Sequence, residues 1–158
     1  MPGQCLCFTG HRRLNRPEQR LILEQLPVQL RISYDQGIRV FLAGGALGFD
    51  TLASECVLDF RKTHPDCRLI MALPCISQSE RWLPADIRRY DHLKAEADEV
   101  ILVSEAYFPG CMQKRNRFLV DHAQTCICYM THCRGGTWNT VSYAYDMKRT
   151  IINLAAWR

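Results

Sequence analysis

Three short turns carry the residue types best suited to chemistry: Thr9-Gly10-His11-Arg12, Gly44-Gly45-Ala46-Leu47-Gly48-Phe49-Asp50 and Arg134-Gly135-Gly136-Thr137. Glycine permits positive φ and lets a ligand approach the backbone. Where such a turn enters a helix, the first amides are unpaired and the local potential is positive. Two glycine turns on one edge would cradle a phosphate or pyrophosphate, with Arg12 or Arg115 as a charge-assisted clamp. Thr9 suits donation to a phosphate oxygen, and His11 suits a ligand hydrogen bond or proton transfer. Asp50 reads as a helix cap or as a partner for a ribose hydroxyl. Thr137 reads as a cap or a phosphate donor, and Trp82 as a stacking face for a base or as packing. Arg115 and Asn116 fall in what reads as the first turn of a helix, where a cation opposes the helix dipole, so an anion is expected nearby.

Several familiar chemistries are absent from these turns. No Gly-Lys-Ser/Thr follows any of them, which disfavours a Walker-type ATPase. The first strand is not followed by Gly-x-Gly-x-x-Gly, and no Gly-x-Ser-x-Gly elbow occurs, which weakens dehydrogenase and serine-hydrolase readings.

The elements that must position these turns alternate along the chain. Apolar runs at 5–9, 39–43, 68–73, 99–104, 125–130 and 150–154 read as strands. Helical spacing is expected over 17–35, with a kink or break at Pro27, and over 50–63, 113–123 and 137–148; a polar helix over 78–95 is interrupted by Pro84. Strands that are apolar throughout and separated by helices predict a three-layer α/β Rossmann-like fold, a mostly parallel sheet of about six strands flanked by helices. In such a sheet ligands bind at the carboxyl ends of strands near a topological switch point, where all three turns fall. Strand order does not follow from these patterns.

Composition bounds the rest. The 158 residues are 47% hydrophobic and 23% charged, enough for one domain over 1–158 and against disorder. A net charge of +4 does not mark a nucleic-acid binder. No apolar run approaches the roughly 18 residues of a membrane span. The start, Met1 to Thr9, lacks the pattern of a secretory signal, so a cytoplasmic location is expected. Nine scattered cysteines, an odd number, argue against a disulfide framework. Cys5/Cys7 and Cys126/Cys128 read as small buried hydrophobes. A metal site would need Cys133 to converge with His132 or His122, and no metal is expected.

Taken together with Pro74, Gln78, Trp82 and Arg115-Asn116, the three turns resemble the motif series of the YpsA-like family, within the SLOG superfamily of Rossmann-like nucleotide-ligand domains. The resemblance covers nearly the whole chain. It implies that Thr9, Gly10, His11, Arg12, Gly44, Gly45, Gly48, Asp50, Trp82, Arg115, Asn116, Gly135, Gly136 and Thr137 bind a nucleotide, nucleotide sugar, ADP-ribose or NAD-like molecule. It implies no established reaction and no cofactor. The partner it implies is a small molecule rather than a membrane or nucleic acid; the sequence does not fix the oligomeric state and leaves a homo-oligomer open. The LOG-type phosphoribohydrolase branch carries Pro-Gly-Gly-x-Gly-Thr-x-x-Glu; here Thr140 stands where its glutamate is expected, leaving Asp50 or Asp121 for glycosidic cleavage. The DprA-like branch, which binds single-stranded DNA, would call for a denser basic track and stacking aromatics.

Overall fold

The computed structural model describes residues 4–157; Met1, Pro2, Gly3 and Arg158, the ends of the expected domain and the first residues of the supposed signal-free start, lie outside the described residues. Six strands, β1 (Cys5–Gly10), β2 (Val40–Ala43), β3 (Arg68–Leu73), β4 (Glu99–Leu102), β5 (Thr125–Tyr129) and β6 (Thr150–Asn153), form one sheet. Between them run α1 (Arg16–Asp35), α2 (Phe49–Thr63), α3 (Pro84–Glu96), α4 (Cys111–Asp121) and α5 (Gly135–Asp146), and a 3-10 helix, Leu154–Trp157, follows β6. Every strand pair is parallel. The protein therefore has the α/β Rossmann-like architecture expected from its alternating runs.

The period of two along each strand divides the interior between the two faces. Leu6, Phe8, Leu69, Met71 and Leu73 join the cluster under α1, α2 and α3. Cys7, Ile70, Ala72 and Cys126 join the cluster under α4 and α5. Cys7, Cys126 and Cys128 are buried as small apolar groups, Cys5 is half-buried and Cys133 is exposed. Among the described residues no helix is long and apolar enough to cross a membrane.

The order β4-β3-β2-β1-β5-β6 supplies what the pattern could not. The chain lays down β1 to β4 in one direction, then returns to place β5 on the free side of β1. Connections leaving β1 and β5 at their carboxyl ends therefore diverge, which opens a crevice between two adjacent strands.

Several boundaries differ from expectation. Pro27 does not break α1, which is continuous. Pro27 and Leu23 both lie on the exposed side, where water can take the carbonyl that proline leaves unpaired. The helix starts on a capping box, Asn15 accepting from the Glu18 amide while Glu18 accepts from that of Asn15. Helix α3 begins only at Pro84, which suits a first turn; residues 78–81 form turns, followed by a bend at Trp82. Helix α4 begins at Cys111, entered from Gly110 at φ 96°. Arg115 therefore sits in the second turn, and the helix dipole does not explain it.

Glycine is required most strictly at Gly48, whose φ is 75° and where a Cβ would run into the backbone carbonyl of Arg12. By contrast Gly37, at φ 99°, has open space around it. Gly48→Ala should destabilise the chain by at least about 2 kcal/mol, through backbone strain and collision together. Gly37→Ala, strained only, should cost about 1 kcal/mol. Urea unfolding of both variants measures this, and equal losses would contradict the close approach.

Candidate functional site

A cleft of about 250 Å³ opens at the carboxyl ends of β1 and β5, where the connections part. Four segments line it: Thr9, Gly10, His11 and Arg12 beyond β1; Ala46 and Asp50 from the turn into α2; Met112, Gln113, Arg115 and Asn116 from α4; and His132, Arg134, Gly135, Gly136 and Thr137 from the turn into α5. The structure thus brings together ten residues singled out in the sequence: Thr9, Gly10, His11, Arg12, Asp50, Arg115, Asn116, Gly135, Gly136 and Thr137.

Gly44, Gly45, Gly48 and Trp82 lie outside that lining. The carbonyl of Gly44 accepts from the Arg115 guanidinium, and a Cβ there would stand 2.7 Å from Nη1. Gly45, at φ 72°, is pressed against Leu73 and Tyr90. Trp82 packs edge-to-face on Tyr90, with ring centroids 5.0 Å apart, at the margin of the core.

The two glycine turns have different uses. In the turn into α2, the Ala46 amide donates to Asp50 Oδ2 at 3.2 Å, and the Phe49 amide donates to the His11 carbonyl at 3.1 Å. These donors are already engaged. Helix α5 is the open one. Its N-cap Arg134 makes no side-chain cap, and its first turn holds no acidic residue. A Cβ at Gly135 or Gly136 would meet nothing within 4 Å. Thr140, in the next turn, donates back to the Gly136 carbonyl at 2.9 Å.

Arg115 is only 2% exposed. Its Nη1 donates to the Gly44 carbonyl and, at 3.5 Å, to Gln78, while its Nε donates to Asn116 Oδ1 at 2.8 Å. None of these partners is a carboxylate. Burial lowers the guanidinium's pKa, opposed by attraction to Asp50 and reinforced by repulsion from Arg12. Burial likewise raises the Asp50 carboxyl, outweighing Arg115 and the Ala46 amide.

His11 ties the two lips of the crevice together. Its Nε2 accepts the Thr131 amide at 2.9 Å, and its ring stacks on His132 at 4.4 Å. An accepting Nε2 places the proton of the neutral ring on Nδ1. Burial and the neighbouring His132 both lower the pKa of this imidazole, while Glu18 raises it slightly.

Sequence reasoning missed Ala46, Met112, Gln113, His132 and Arg134 as lining residues. A signal existed for most of them. Met112 and Gln113 precede Arg115 and Asn116 by three positions on one helix face, and His132 and Arg134 follow the carboxyl end of β5.

Residues 6–151 match the family model YpsA, described as YspA SLOG family. The chain belongs to this family. It is 32% identical over 130 residues to the uncharacterized SPbeta prophage-derived protein YoqJ of Bacillus subtilis (strain 168), covering 75% of this chain and 74% of that protein. With a UPF0398 protein of Halalkalibacterium halodurans it shares 30% identity over 95 residues, 59% of this chain and 50% of the relative. Among solved structures, DNA processing protein A of Helicobacter pylori, described for its single-stranded DNA binding mode, superposes with a TM-score of 0.66 at 18% identity, over 95% of this chain and 64% of the other. DNA processing protein A (DprA) of Streptococcus pneumoniae gives 0.67 at 18% identity, over 92% and 48%. At this identity the likeness shows the fold. This YpsA-family chain spans about half the length of the UPF0398 relative and of the pneumococcal protein.

The lowered pKa of His11 makes stability depend on pH. Relative to the unfolded value of 6.5, the contribution of the neutral ring is complete at higher pH and is lost as pH falls through the lower folded value. His11→Gln retains an acceptor and removes the titration. Urea midpoints of the native chain should fall more than those of the variant between about pH 7.5 and about pH 5.5. Parallel falls would show that the imidazole does not link the two turns.

Proposed function

We propose that the crevice at the switch point binds the phosphate-bearing part of a nucleotide-derived small molecule: a nucleotide, nucleotide sugar, ADP-ribose or NAD-like compound. The observation that carries this reading is the buried Arg115 guanidinium lining the same cleft as the uncapped N-terminus of α5. Arg12 and Arg134 line it too, and Asp50 is its one carboxyl among the described residues. Burial holds that carboxyl toward its neutral form, so positive potential dominates. A phosphate here would accept from the amides of Gly135, Gly136 and Thr137, with guanidinium groups closing over it. The open space at Gly135 and Gly136 lets the phosphate approach the backbone. In this reading Thr9, His11, Arg12 and Asn116 supply further donors, and Asp50 meets a ribose hydroxyl. Gly10, Gly44, Gly45 and Gly48 shape the turns. Family membership supports a nucleotide-related ligand.

Titration calorimetry with AMP, ADP, ADP-ribose, NAD and pyrophosphate tests the assignment. Arg134→Ala and Gly136→Ala remove nothing from the interior, so their unfolding free energies should stay within about 0.5 kcal/mol of native. Arg134→Ala should weaken binding about tenfold or more, the value of one charge-assisted hydrogen bond. Gly136→Ala should weaken it by intruding on the phosphate. No heat with any compound, or affinity indifferent to both substitutions, would reject the proposal. Tighter binding of single-stranded oligonucleotides, steeply weakened by salt, would move the assignment to DNA.

One observation favours a second reading, hydrolysis of a nucleotide's N-glycosidic bond. Asp50 lines the cleft with its pKa raised by burial, the condition a general acid needs near neutral pH. Thr140 bonds back to its own helix, and Asp121 is engaged by the Tyr143 hydroxyl at 2.6 Å outside the lining. Asp50→Asn should abolish base release from nucleoside monophosphates while pyrophosphate still binds. Undiminished release in the variant would dismiss hydrolysis by this carboxyl.

A further inference from the structure

A second and larger hollow, of about 410 Å³, runs between α4 and α5. It shares Gln113 and Asn116 with the switch-point cleft, so the two adjoin. Trp138, Ser142 and Asp146 recur at i, i+4 and i+8 on α5, a single stripe about 12 Å long by helical rise. That stripe starts beside Thr137, at the open end of the helix, and leads away from it.

The groove is not closed by its own side chains. Tyr143 is committed, its hydroxyl bonded to Asp121 at 2.6 Å and its ring 5.1 Å from the Arg117 guanidinium. Ser142 differs: its Oγ is buried and has no hydrogen-bond partner. Native structures leave few such groups orphaned, and a buried unpartnered hydroxyl on a residue that lines a hollow asks for an explanation. Trp138 leaves 37% of its surface open, although indole is a side chain that normally buries its faces. Among the described residues no ion pair engages Asp146, an acceptor when ionised.

We propose that this α4–α5 groove is the nucleoside subsite of the ligand, an inference that rests on the phosphate reading of the adjoining cleft. The phosphates sit at the N-terminus of α5, and the nucleoside extends along the helix toward its C-terminus. The Trp138 indole supplies a stacking face that any base can use. Asp146 accepts from ribose hydroxyls or from an amino group of the base, and rotation of the buried Ser142 hydroxyl toward the groove would give it the partner it lacks. An aromatic face beside hydrogen-bonding groups, continuous with an anion cradle, fits a nucleotide better than a bare oxyanion or a lipid.

Calorimetry and tryptophan fluorescence with pyrophosphate and ADP, on native protein, Trp138→Ala, Trp138→Phe and Asp146→Asn, test the subsite. ADP should bind the native chain about tenfold tighter than pyrophosphate and quench indole emission. Trp138→Ala should lose that advantage and the quenching while keeping pyrophosphate affinity, and Trp138→Phe should recover part of the advantage. Asp146→Asn should weaken ADP alone. If pyrophosphate fails to bind while ADP binds in a Trp138-dependent way, the groove assignment stands and the phosphate cradle falls. If pyrophosphate binds and ADP gains nothing, or its gain survives both Trp138→Ala and Asp146→Asn, the subsite falls and the cradle stands. A native dimer that Trp138→Ala converts to monomer in sedimentation would make the groove a self-contact and overturn the proposal.

Discussion

The contact on which the cleft depends is the one between the Arg115 guanidinium and the Gly44 carbonyl. It reaches from α4 to the end of β2, two segments that meet only because the chain crosses back over the sheet after β4. The same side chain also holds Asn116 and Gln78, so helix, turn and the segment before α3 converge on one cation. That convergence dictates the turn. Gly44 must lack a Cβ because the guanidinium occupies its place, and positive φ at Gly45 and Gly48 folds the backbone back toward the end of β1. The Phe49 amide then meets the His11 carbonyl, and the two loops become one wall. The glycine-rich turn after β2 is thus chiefly scaffold, and the one after β5 is the open surface.

Burying a guanidinium without a carboxylate is costly, and backbone carbonyls offset only part of the lost hydration. Asp50 is close enough to attract Arg115, yet its own burial works harder in the other direction. Neither ion fully satisfies the other. An arrangement of this kind contributes little to folding, whereas an incoming anion would gain the full interaction with a preorganised cation. The imbalance is what separates this cleft from a structural ion pair such as Arg61–Asp98, which closes at 2.7 Å on itself.

Much of this was legible in the sequence, and the failures have physical causes. Apolar runs identified all six strands: burial on both faces leaves β1, β2, β3 and β5 little choice of residue, and the edge strands β4 and β6, though more exposed, keep the same apolar character. Strand order was not legible, since any right-handed crossover satisfies the same local pattern. The cleft-lining residues after β1 and before α5 were legible because such sheets open a crevice at their strand ends. Arg115 was noticed for a reason that does not hold: α4 begins at Cys111, so no dipole opposes the charge. Its burial, which long-range packing decides, is what sets it apart. Trp82 could be read as a stacking face or as packing; its ring packs on Tyr90, outside the cleft lining. Pro27 carried a breaking signal, but proline on a solvated helix face breaks nothing when water can take the freed carbonyl.

If a phosphate occupies the cleft as proposed, the same geometry links binding to acid chemistry. A phosphate near the α5 N-terminus would place negative charge beside Asp50 and draw Arg115 toward itself. Both changes disfavour the Asp50 carboxylate further, because a like charge approaches while the opposing cation is diverted. Occupation of the cleft would therefore strengthen the neutral carboxyl, and the proton would be held where a ribose or glycosidic atom of the same ligand would lie. His11 would respond with the same sign and a different structural result. Its neutral ring must accept from Thr131 to keep the lips of the crevice joined, and an anion nearby would favour protonation and release that bond. Binding of such an anion would thus push the pKa values of Asp50 and His11 upward together.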